Sequence, residues 1–303
     1  FMMGGALRYE NYSSFGDTLN FKITTLFSLT DDFSLRGSVS TGFRAPTVGQ
    51  ANVLNTQTSI VNGDLIQTFL APPTDPLSSF YGGKELNPEK SDSYSFGVVY
   101  ENDGFFFTAD YYNIKVKDRI AQSRPQDYEQ LRTLGVQNPE LISAVTFFAN
   151  DFDTTTQGLD VVANYGMELF AGDTQFTLAY NWNDTKVDRF NPDTTDVGKV
   201  RRLEDGIPNN RATFTINQVW ESVGMFIRTN YYGTYYATHA DDTSSWGSEY
   251  ASSAITIDAE VSYFFSDSIT LTAGATNLLD QKAQRIKDSA YGVLGAKYYE
   301  SGP

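Results

Sequence analysis

Apolar and polar residues alternate one by one in eight segments of this chain. In the segment 19–29, for example, Leu19, Phe21 and Ile23 alternate with Asn20 and Lys22. Successive side chains of a β-strand point to opposite faces, so a period of two predicts strands. The eight segments are 19–29, 33–43, 94–100, 176–182, 212–220, 223–231, 255–263 and 269–275, and three looser ones are 6–12, 105–116 and 157–165. The pattern therefore predicts about eleven strands, each near the length that a tilted strand needs to cross a bilayer.

The connections between these segments are alternately very short and very long. Short turns are predicted at residues 31–32, 102–104, 172–173, 221–222 and 266–267, and long polar stretches at 44–90, 117–155, 184–210, 236–253 and 278–303. Tight turns at one end and large loops at the other are typical of outer-membrane barrels. Loops of this length are uncommon in compact soluble domains. The prediction is an all-β fold, an antiparallel up-and-down transmembrane β-barrel with long external loops.

Composition agrees with this fold class and excludes others. The chain has no run of about 18 apolar residues, as a transmembrane helix would require. A formal net charge of -15 argues against nucleic acid as a partner. The absence of cysteine excludes a disulfide scaffold and a thiolate metal site. An apolar outer face would make the lipid of the outer membrane a partner. Aromatic residues near the strand ends fit an interfacial girdle, although these residues also favour strands in general.

Charged residues occur on the strand faces that we expect to point into the lumen. They are Lys22, Arg36, Asp110, Asp160, Arg228, Asp258 and Glu260. Such charges suit a barrel that is filled by another domain, to which they would hydrogen-bond. The alternative is that they only solvate a wide pore.

Two sequence motifs resemble a known family. Residues 35–47 (LRGSVSTGFRAPT) are followed by residues 86–91 (LNPEKS), and both resemble boxes of the TonB-dependent outer-membrane receptors. Residues 109–120, 157–160 (QGLD) and 276–280 (TNLLD) are also similar to segments of that family. The resemblance extends along essentially the whole chain. It is specific for the family and uninformative about the ligand.

The resemblance implies a larger protein than this chain. Receptors of this family have a plug domain inside a barrel of about 22 strands, with a TonB-contacting box before the plug. We expect residues 1–303 to be a partial barrel domain, without the plug domain, the first half of the barrel and the last strand. The energy-transducing TonB complex would then be a partner through the absent plug and TonB box. The implied location is the outer membrane of a bacterial cell.

External loops carry the candidate ligand contacts. Ligand- or plug-facing candidates are Arg44, Tyr81, Arg201, Arg202, Trp246, Arg285 and Lys287. Arg44 would contact an anionic ligand or a plug carboxylate, or else be an ordinary loop arginine bonded to backbone carbonyls. Loop aromatic residues would grip a ligand, or form a small hydrophobic cluster of the loop itself. The basic residues would attract an anionic ferric chelate, or form merely solvated faces.

A local helix is predicted within the stretch 117–155. Pro125 occupies a first-turn position, Asp127 and Glu129 follow it, and Gly135 ends the helix. A second cap is predicted at Asn138.

Three functions from different classes fit these observations. The first is TonB-dependent active transport of a scarce large ligand, with a ferric siderophore ahead of cobalamin or an oligosaccharide. The second is a passive porin-like channel, and the third is an enzyme or adhesin with a barrel anchor. The single histidine of the chain, His239, is poorly placed for a hydrolase or a haem ligand. We therefore predict no catalytic residues, no metal site and no cofactor.

Overall fold

The computed structural model describes residues 1–12, 15–61, 64–127, 144–238 and 248–282. Its strands are β1 (Met2–Tyr12), β2 (Gly16–Ser28), β3 (Phe33–Arg44), β4 (Asn55–Val61), β5 (Asp64–Leu70), β6 (Glu89–Asn102), β7 (Phe105–Gln122), β8 (Gln126–Asp127) and β9 (Ala144–Thr146). They continue with β10 (Phe148–Leu169), β11 (Gly172–Phe190), β12 (Asn210–Val219), β13 (Val223–Tyr232), β14 (Tyr235–Thr238), β15 (Ser248–Ala251), β16 (Ala254–Ser266) and β17 (Ile269–Ala275). The helices are α1 (Val48–Asn52), α2 (Pro76–Phe80) and α3 (Val197–Asp205). None of the described helices is long and apolar enough to cross a membrane.

Eleven of these strands form one antiparallel sheet. Their order is β1-β2-β3-β6-β7-β10-β11-β12-β13-β16-β17, so each strand lies beside the next long strand of the chain. Each of the eleven predicted segments coincides with one of these strands, and only Leu29 and Trp220 lie one residue beyond the ends of β2 and β12. The predicted fold class, an antiparallel up-and-down wall of about eleven strands, is confirmed.

The register gives the sheet one apolar face and one polar face. A row of directly opposed residues crosses nine strands on the apolar face: Phe27, Leu35, Val98, Ala109, Val161, Tyr180, Ala212, Tyr231 and Ile255. The adjacent row on the polar face contains Arg36, Gly97, Asp110, Asp160, Asn181 and Arg211. Side chains that oppose each other across a strand pair share a face. The period-two alternation of the sequence is therefore kept in phase across the whole sheet.

Strands β7, β10 and β11 continue several residues into stretches that the sequence pattern predicts as loop. Strands β7, β10 and β11 contain 18, 22 and 19 residues. Residues 117–122 and 148–155, predicted as loop, belong to β7 and β10, and residues 184–190 belong to β11. Near these outer ends polar side chains occur on both faces, so the alternation that marks a strand disappears from the sequence. The predicted loop boundaries 117–155 and 184–210 are therefore wrong at these ends.

One predicted turn lies two residues away from its true position. The chain reverses at Phe170 and Ala171, both with a positive φ (56° and 57°), and not at residues 172–173. Gly172 instead lies in β11, where a Cβ would come within 2.5 Å of the Val219 carbonyl oxygen. This glycine permits close approach of two strands and does not form the turn. The predicted turn at 102–104 is confirmed, because Asp103 and Gly104 have φ values of 46° and 79°.

A second, small sheet joins two of the outer loops. Its order is β4-β5-β9-β8, and β9 pairs in parallel with β5 through Thr68 opposite Ala144. Its centre is a core of Ala71 and Val145, both fully buried, with Phe147 also fully buried. The described residues 45–61, 64–88, 123–127 and 144–147 thus form one outer body at the long-loop end of the main sheet.

The predicted helix at Pro125 is wrong in the part that can be tested. Gln126 and Asp127 form β8 and pair with Val145 and Ala144. This pairing satisfies their backbone groups in the outer sheet, and tertiary context overrides the local helix signal. The remaining helix residues, including the Asn138 cap, lie outside the described residues.

Candidate functional site: the polar face and the outer rim

The centre of the polar face carries a row of charged side chains that are joined by hydrogen bonds between strands. The Arg36 guanidinium donates from Nε to Asp110 Oδ1 at 2.6 Å and also donates from Nη2 to Asp110 Oδ2. Asp160 lies directly opposite Asp110, and its Oδ1 accepts a hydrogen bond of 2.5 Å from Asn181 Nδ2. One arginine thus neutralises the first of two opposed carboxylates, while an amide supports the second. These contacts hold polar groups in fixed positions on the wall.

A second charged group lies on β13 and β16. Asp258 is opposite Arg228 in the register, and it accepts hydrogen bonds from Asn230 Nδ2 at 3.2 Å and from the Asn277 backbone N–H at 2.9 Å. The Arg228 guanidinium lies 4.8 Å from the centre of the Phe226 ring, a cation–π contact. Glu260 is opposite Phe226.

All seven residues predicted to face the lumen lie on the polar face. Lys22 is opposite Ala6 and Ser40, away from the paired groups just described. The structure brings Arg36 together with Asp110, and it places Arg228 opposite Asp258. That this face lines an enclosed lumen stays a prediction.

At the outer rim the two sequence motifs meet through an ion pair. Arg44 Nε donates to Glu89 Oε2 at 2.8 Å, and Arg44 Nη2 donates to Glu89 Oε1. Glu89 Oε1 also accepts from the buried Ile120 N–H at 2.7 Å. Burial by itself raises the pKa of Glu89, but Arg44 and the Ile120 N–H outweigh burial and lower this pKa from its ordinary value. The Arg44 partner is therefore a carboxylate within the chain, on the next strand of the sheet.

The same motif is tied to the neighbouring long strands. The Asn87 N–H donates to Asn150 Oδ1 at 2.8 Å, and Asn150 Nδ2 donates to the Asn87 carbonyl oxygen at 2.9 Å. Above this pair, Arg189 Nε donates to Asp153 Oδ2 at 2.7 Å, and the Asp118 N–H donates to Asp153 Oδ1 at 2.9 Å. The Arg189 hydrogen bond is the main cause that lowers the pKa of Asp153. The rim is thus a continuous polar network from β6 to β11.

A buried carboxylate on β10 and an ammonium group on α3 extend this network. Asp151 is 3 % exposed, and its Oδ2 accepts from Thr195 Oγ1 at 3.1 Å. Lys199 Nζ donates to the Gln122 carbonyl oxygen at 2.8 Å. Burial raises the pKa of Asp151, and burial also lowers the pKa of Lys199. Both shifts follow from the low solvent exposure of Asp151 and Lys199 at the junction of α3 with β7 and β10.

The other predicted ligand-facing residues are distributed over the outer segments. Tyr81 follows α2 and packs against the buried Ala71 and Val145 of the outer sheet. Arg201 and Arg202 lie on α3, which packs beside β11 and β14. Trp246, Arg285, Lys287 and also His239 lie outside the described residues. Among the described candidates, the contacts of Tyr81 are those of a loop cluster.

Comparisons with known proteins place this architecture in a family. Residues 1–278 match the family model described as TonB dependent receptor-like, beta-barrel. The chain belongs to the TonB-dependent receptor family. It is a family of receptors of the bacterial outer membrane and not a family of enzymes. No curated protein matches the sequence.

Solved structures of TonB-dependent receptors share the fold of this chain. The ferric enterobactin receptor PfeA of Pseudomonas aeruginosa, in complex with enterobactin, aligns with a TM-score of 0.67 at 17% identity, over 98% of this chain and 40% of that chain. The siderophore receptor PirA of Acinetobacter baumannii aligns with a TM-score of 0.64 at 16% identity, over 93% and 40%. The copper transporter OprC aligns with a TM-score of 0.55 at 16% identity, over 88% and 34%. The chain spans about two fifths of the length of the first two structures.

Several residues of the site were missed by sequence reasoning. Glu89, Asn150 and Asn181 are partners of predicted or motif residues, and Arg211 continues the polar row beyond Asn181. Glu89 belongs to the LNPEKS motif, so its charge could have been used to predict it as a residue of the site. Asn150 and Asn181 carry no such signal, because their roles depend on strand register.

Proposed function

We propose that this TonB-dependent receptor chain forms part of the wall of an active transporter, and that the cargo of the complete receptor is a ferric siderophore. The observation that carries the proposal is the charged row of the polar face, which runs beside an unbroken apolar row in a member of this family. An apolar outer face suits lipid, and a polar face with paired charges suits a lumen filled by a plug domain. The TonB complex would supply energy through the plug and TonB box.

Two features favour a siderophore over the other cargoes. Siderophore receptors are among the solved structures that share this fold, although OprC has the same fold and a different cargo. Basic residues also occur beyond the wall, with Arg201 exposed on α3. An anionic ferric chelate is attracted by such groups. Cobalamin and oligosaccharides are the competing cargoes, and a passive porin-like channel is the competing function.

Uptake by the complete receptor tests the proposal. The receptor is expressed in a host that lacks its own siderophore receptors, and uptake of radiolabelled iron is measured with catecholate and hydroxamate siderophores, with and without a functional TonB. Labelled cobalamin and an oligosaccharide series are measured in parallel. Saturable iron uptake that requires TonB is expected. Uptake that persists without TonB and rises linearly with concentration would instead identify a passive channel.

Charge reversal tests the part assigned to the basic groups. Arg201→Glu and Arg202→Glu, combined with Arg285→Glu and Lys287→Glu, are expected to lower uptake of an anionic chelate. Lys84→Glu is the matched control, because Lys84 is an exposed cation elsewhere in the outer segments. Unchanged uptake in the fourfold variant would show that these groups are only solvated surface.

A further inference from the structure

A small polar cleft lies at the outer rim, where α3, β12, β13 and β15 meet. Its volume is about 270 Å³, and its lining includes Asp205 at the end of α3, Asn209 and Asn210 at the start of β12, and Tyr250 on β15. Tyr231, the last residue of β13 on the apolar face, also lines the cleft. The cleft therefore begins where the apolar row ends, and it is separate from the charged row of the polar face.

Hydrogen bonds between different elements hold the walls of the cleft in place. The Tyr250 hydroxyl donates to Asp205 Oδ2 at 2.7 Å and so joins β15 to the end of α3. The Tyr180 hydroxyl donates to Asn210 Oδ1 at 2.6 Å, and the buried Gly233 N–H donates to the Asn210 carbonyl oxygen at 2.8 Å. The cleft is therefore already formed in the folded wall, as sites for small molecules usually are.

Several polar side chains of the cleft have hydrogen-bonding groups that the protein itself does not use. Within the described ranges, the side chains of Asn209, Thr234 and Ser253 make no hydrogen bond. In the same part of the chain, Asn210 is bonded through Oδ1 and Asp205 through Oδ2, so one amide nitrogen and one carboxylate oxygen stay open. The lining thus offers amide donors, hydroxyl groups that both donate and accept, and a carboxylate acceptor.

We infer that the cleft binds a neutral sugar ring of the pyranose type. A pyranose carries hydroxyl groups that donate and accept in several directions, which matches a lining that does both. A sugar hydroxyl that donates to the Asp205 carboxylate forms a charge-assisted hydrogen bond, roughly twice as strong as a neutral one. The rings of Tyr231 and Tyr250, exposed by 37% and 51%, give the less polar face of the sugar a surface on which to pack.

Charge and size separate this ligand from others. The Asp205 carboxylate repels anions, and neither lysine nor arginine is among the described residues that line the cleft. Arg201 lies near Tyr250 but does not line the cleft. The volume lies just below the range of about 300–1,000 Å³ that is usual for sites of drug-sized ligands, so a single ring fits and an intact ferric siderophore does not. The inference is therefore independent of the proposed cargo, and either can fail without the other.

Sugar binding by the complete receptor tests the inference. Isothermal titration calorimetry measures the Kd of a series of neutral methyl pyranosides, in a detergent without a sugar headgroup, because an alkyl glycoside would itself enter the cleft. Asn209→Leu removes the side-chain amide at similar volume and leaves the Asn209 carbonyl oxygen to accept from the Asn183 N–H. This variant is expected to bind about tenfold more weakly, because a sugar hydroxyl loses its partner. Asn55→Leu is the matched control, since Asn55 is exposed in another outer segment, and it is expected to change nothing.

A change of ligand charge tests the part assigned to Asp205. The unaltered receptor is expected to bind a methyl glucoside about tenfold more tightly than the corresponding methyl glucuronide, whose carboxylate Asp205 repels. Asp205→Asn keeps an acceptor for the Tyr250 hydroxyl and removes the repulsion, so the two ligands are expected to bind alike to this variant. Equal binding of both ligands by the unaltered receptor would overturn the assignment of a neutral ligand.

A third measurement uses only the unaltered receptor and does not depend on folding of a variant. Tyr250 is half exposed, so its rate of nitration by tetranitromethane reports whether the cleft is occupied. Protection by the methyl pyranosides supports the inference, and comparison with dextran at equal sugar concentration shows whether the sugar is taken from a free molecule or from a polymer. Absence of protection by every neutral sugar would overturn the inference. Stronger protection by methylammonium than by any sugar would assign the cleft to cations and also overturn it.

Discussion

The Tyr112 side chain extends across Gly158 on the polar face. These residues are directly opposed on β7 and β10, and a Cβ added to Gly158 would collide with the phenol ring and lie 2.5 Å from the Trp182 carbonyl oxygen. Glycine is therefore needed here for close approach, since only a residue without a side chain leaves space for the ring. The ring then follows the wall instead of projecting from it.

Gly158→Ala is expected to destabilise the sheet. The added methyl must displace both the Tyr112 ring and the Trp182 backbone, and overpacking of this kind costs about 1–3 kcal/mol. The free energy of unfolding of the complete receptor in urea and detergent micelles measures this cost. Gly166→Ala is the control on the same strand, because the nearest atom to its Cβ is 4.0 Å away. Equal effects of the two substitutions would show that close approach at Gly158 is not what requires glycine.

Arg36 is expected to matter more to stability than its partner does. Arg36→Gln leaves Asp110 unneutralised opposite Asp160, whereas Asp110→Asn removes one of the two opposed carboxylates. Both side chains of the pair are partly exposed (45% and 23%), so we expect a cost of only about 1 kcal/mol for Arg36→Gln and less for Asp110→Asn. A double-mutant cycle with urea unfolding measures the coupling. A larger cost for Asp110→Asn than for Arg36→Gln would contradict the inference that Arg36 offsets the repulsion between Asp110 and Asp160.

Glu89 is expected to make the outer rim weaker in acid. Its folded pKa is lowered, so its contribution is present above the ordinary glutamate pKa and is lost as the pH falls through the lower, folded value. The Ile120 N–H donates to this carboxylate, so its hydrogen exchange reports the local opening. After correction for intrinsic rates, protection of Ile120 is expected to decrease as the pH falls.

Two variants separate this contribution from general acid effects. Glu89→Gln keeps an acceptor for Ile120 but loses the charged pair with Arg44, so protection is expected to be lower at neutral pH and flat with pH. Glu85→Gln is the matched control, because Glu85 is exposed in the same segment. A steep acid dependence that survives in Glu89→Gln would assign the titration to another group.

The two faces of the wall were predictable because each depends only on local alternation. Lys22, Arg36 and Asp160 were placed on one face from the period of two alone, and the register keeps them there. Strand ends were less predictable, since Asp153 and Arg189 extend β10 and β11 into polar surroundings where the alternation fails. The turn predicted at Gly172 was also wrong, because this glycine allows close packing of two strands and does not form the turn.

Contacts between distant segments could not be predicted from the sequence. The Arg44 to Glu89 pair joins residues on either side of a long loop, and loop length does not fix which residues become opposed. The outer sheet has the same origin, because β5 pairs with β9 across more than seventy residues. Hydrophobic periodicity contains no information on such pairing, which is decided by packing around Val145.

Asp151 is expected to show the opposite pH dependence to Glu89. Burial raises its folded pKa, so the folded protein binds the proton more tightly, and stability is lost as the pH rises from the ordinary aspartate value through the higher folded value. Asp151→Asn keeps an acceptor for Thr195 Oγ1 and removes the cost of a buried charge. The variant is therefore expected to gain stability relative to the unaltered receptor as the pH is raised from 4 to 8. Urea unfolding at the two pH values measures the difference, and Asp193→Asn is the control at an exposed aspartate nearby. A loss of stability in Asp151→Asn at pH 8 would mean that the carboxylate is held by favourable pairing with Lys199 or Arg189 more strongly than burial opposes it.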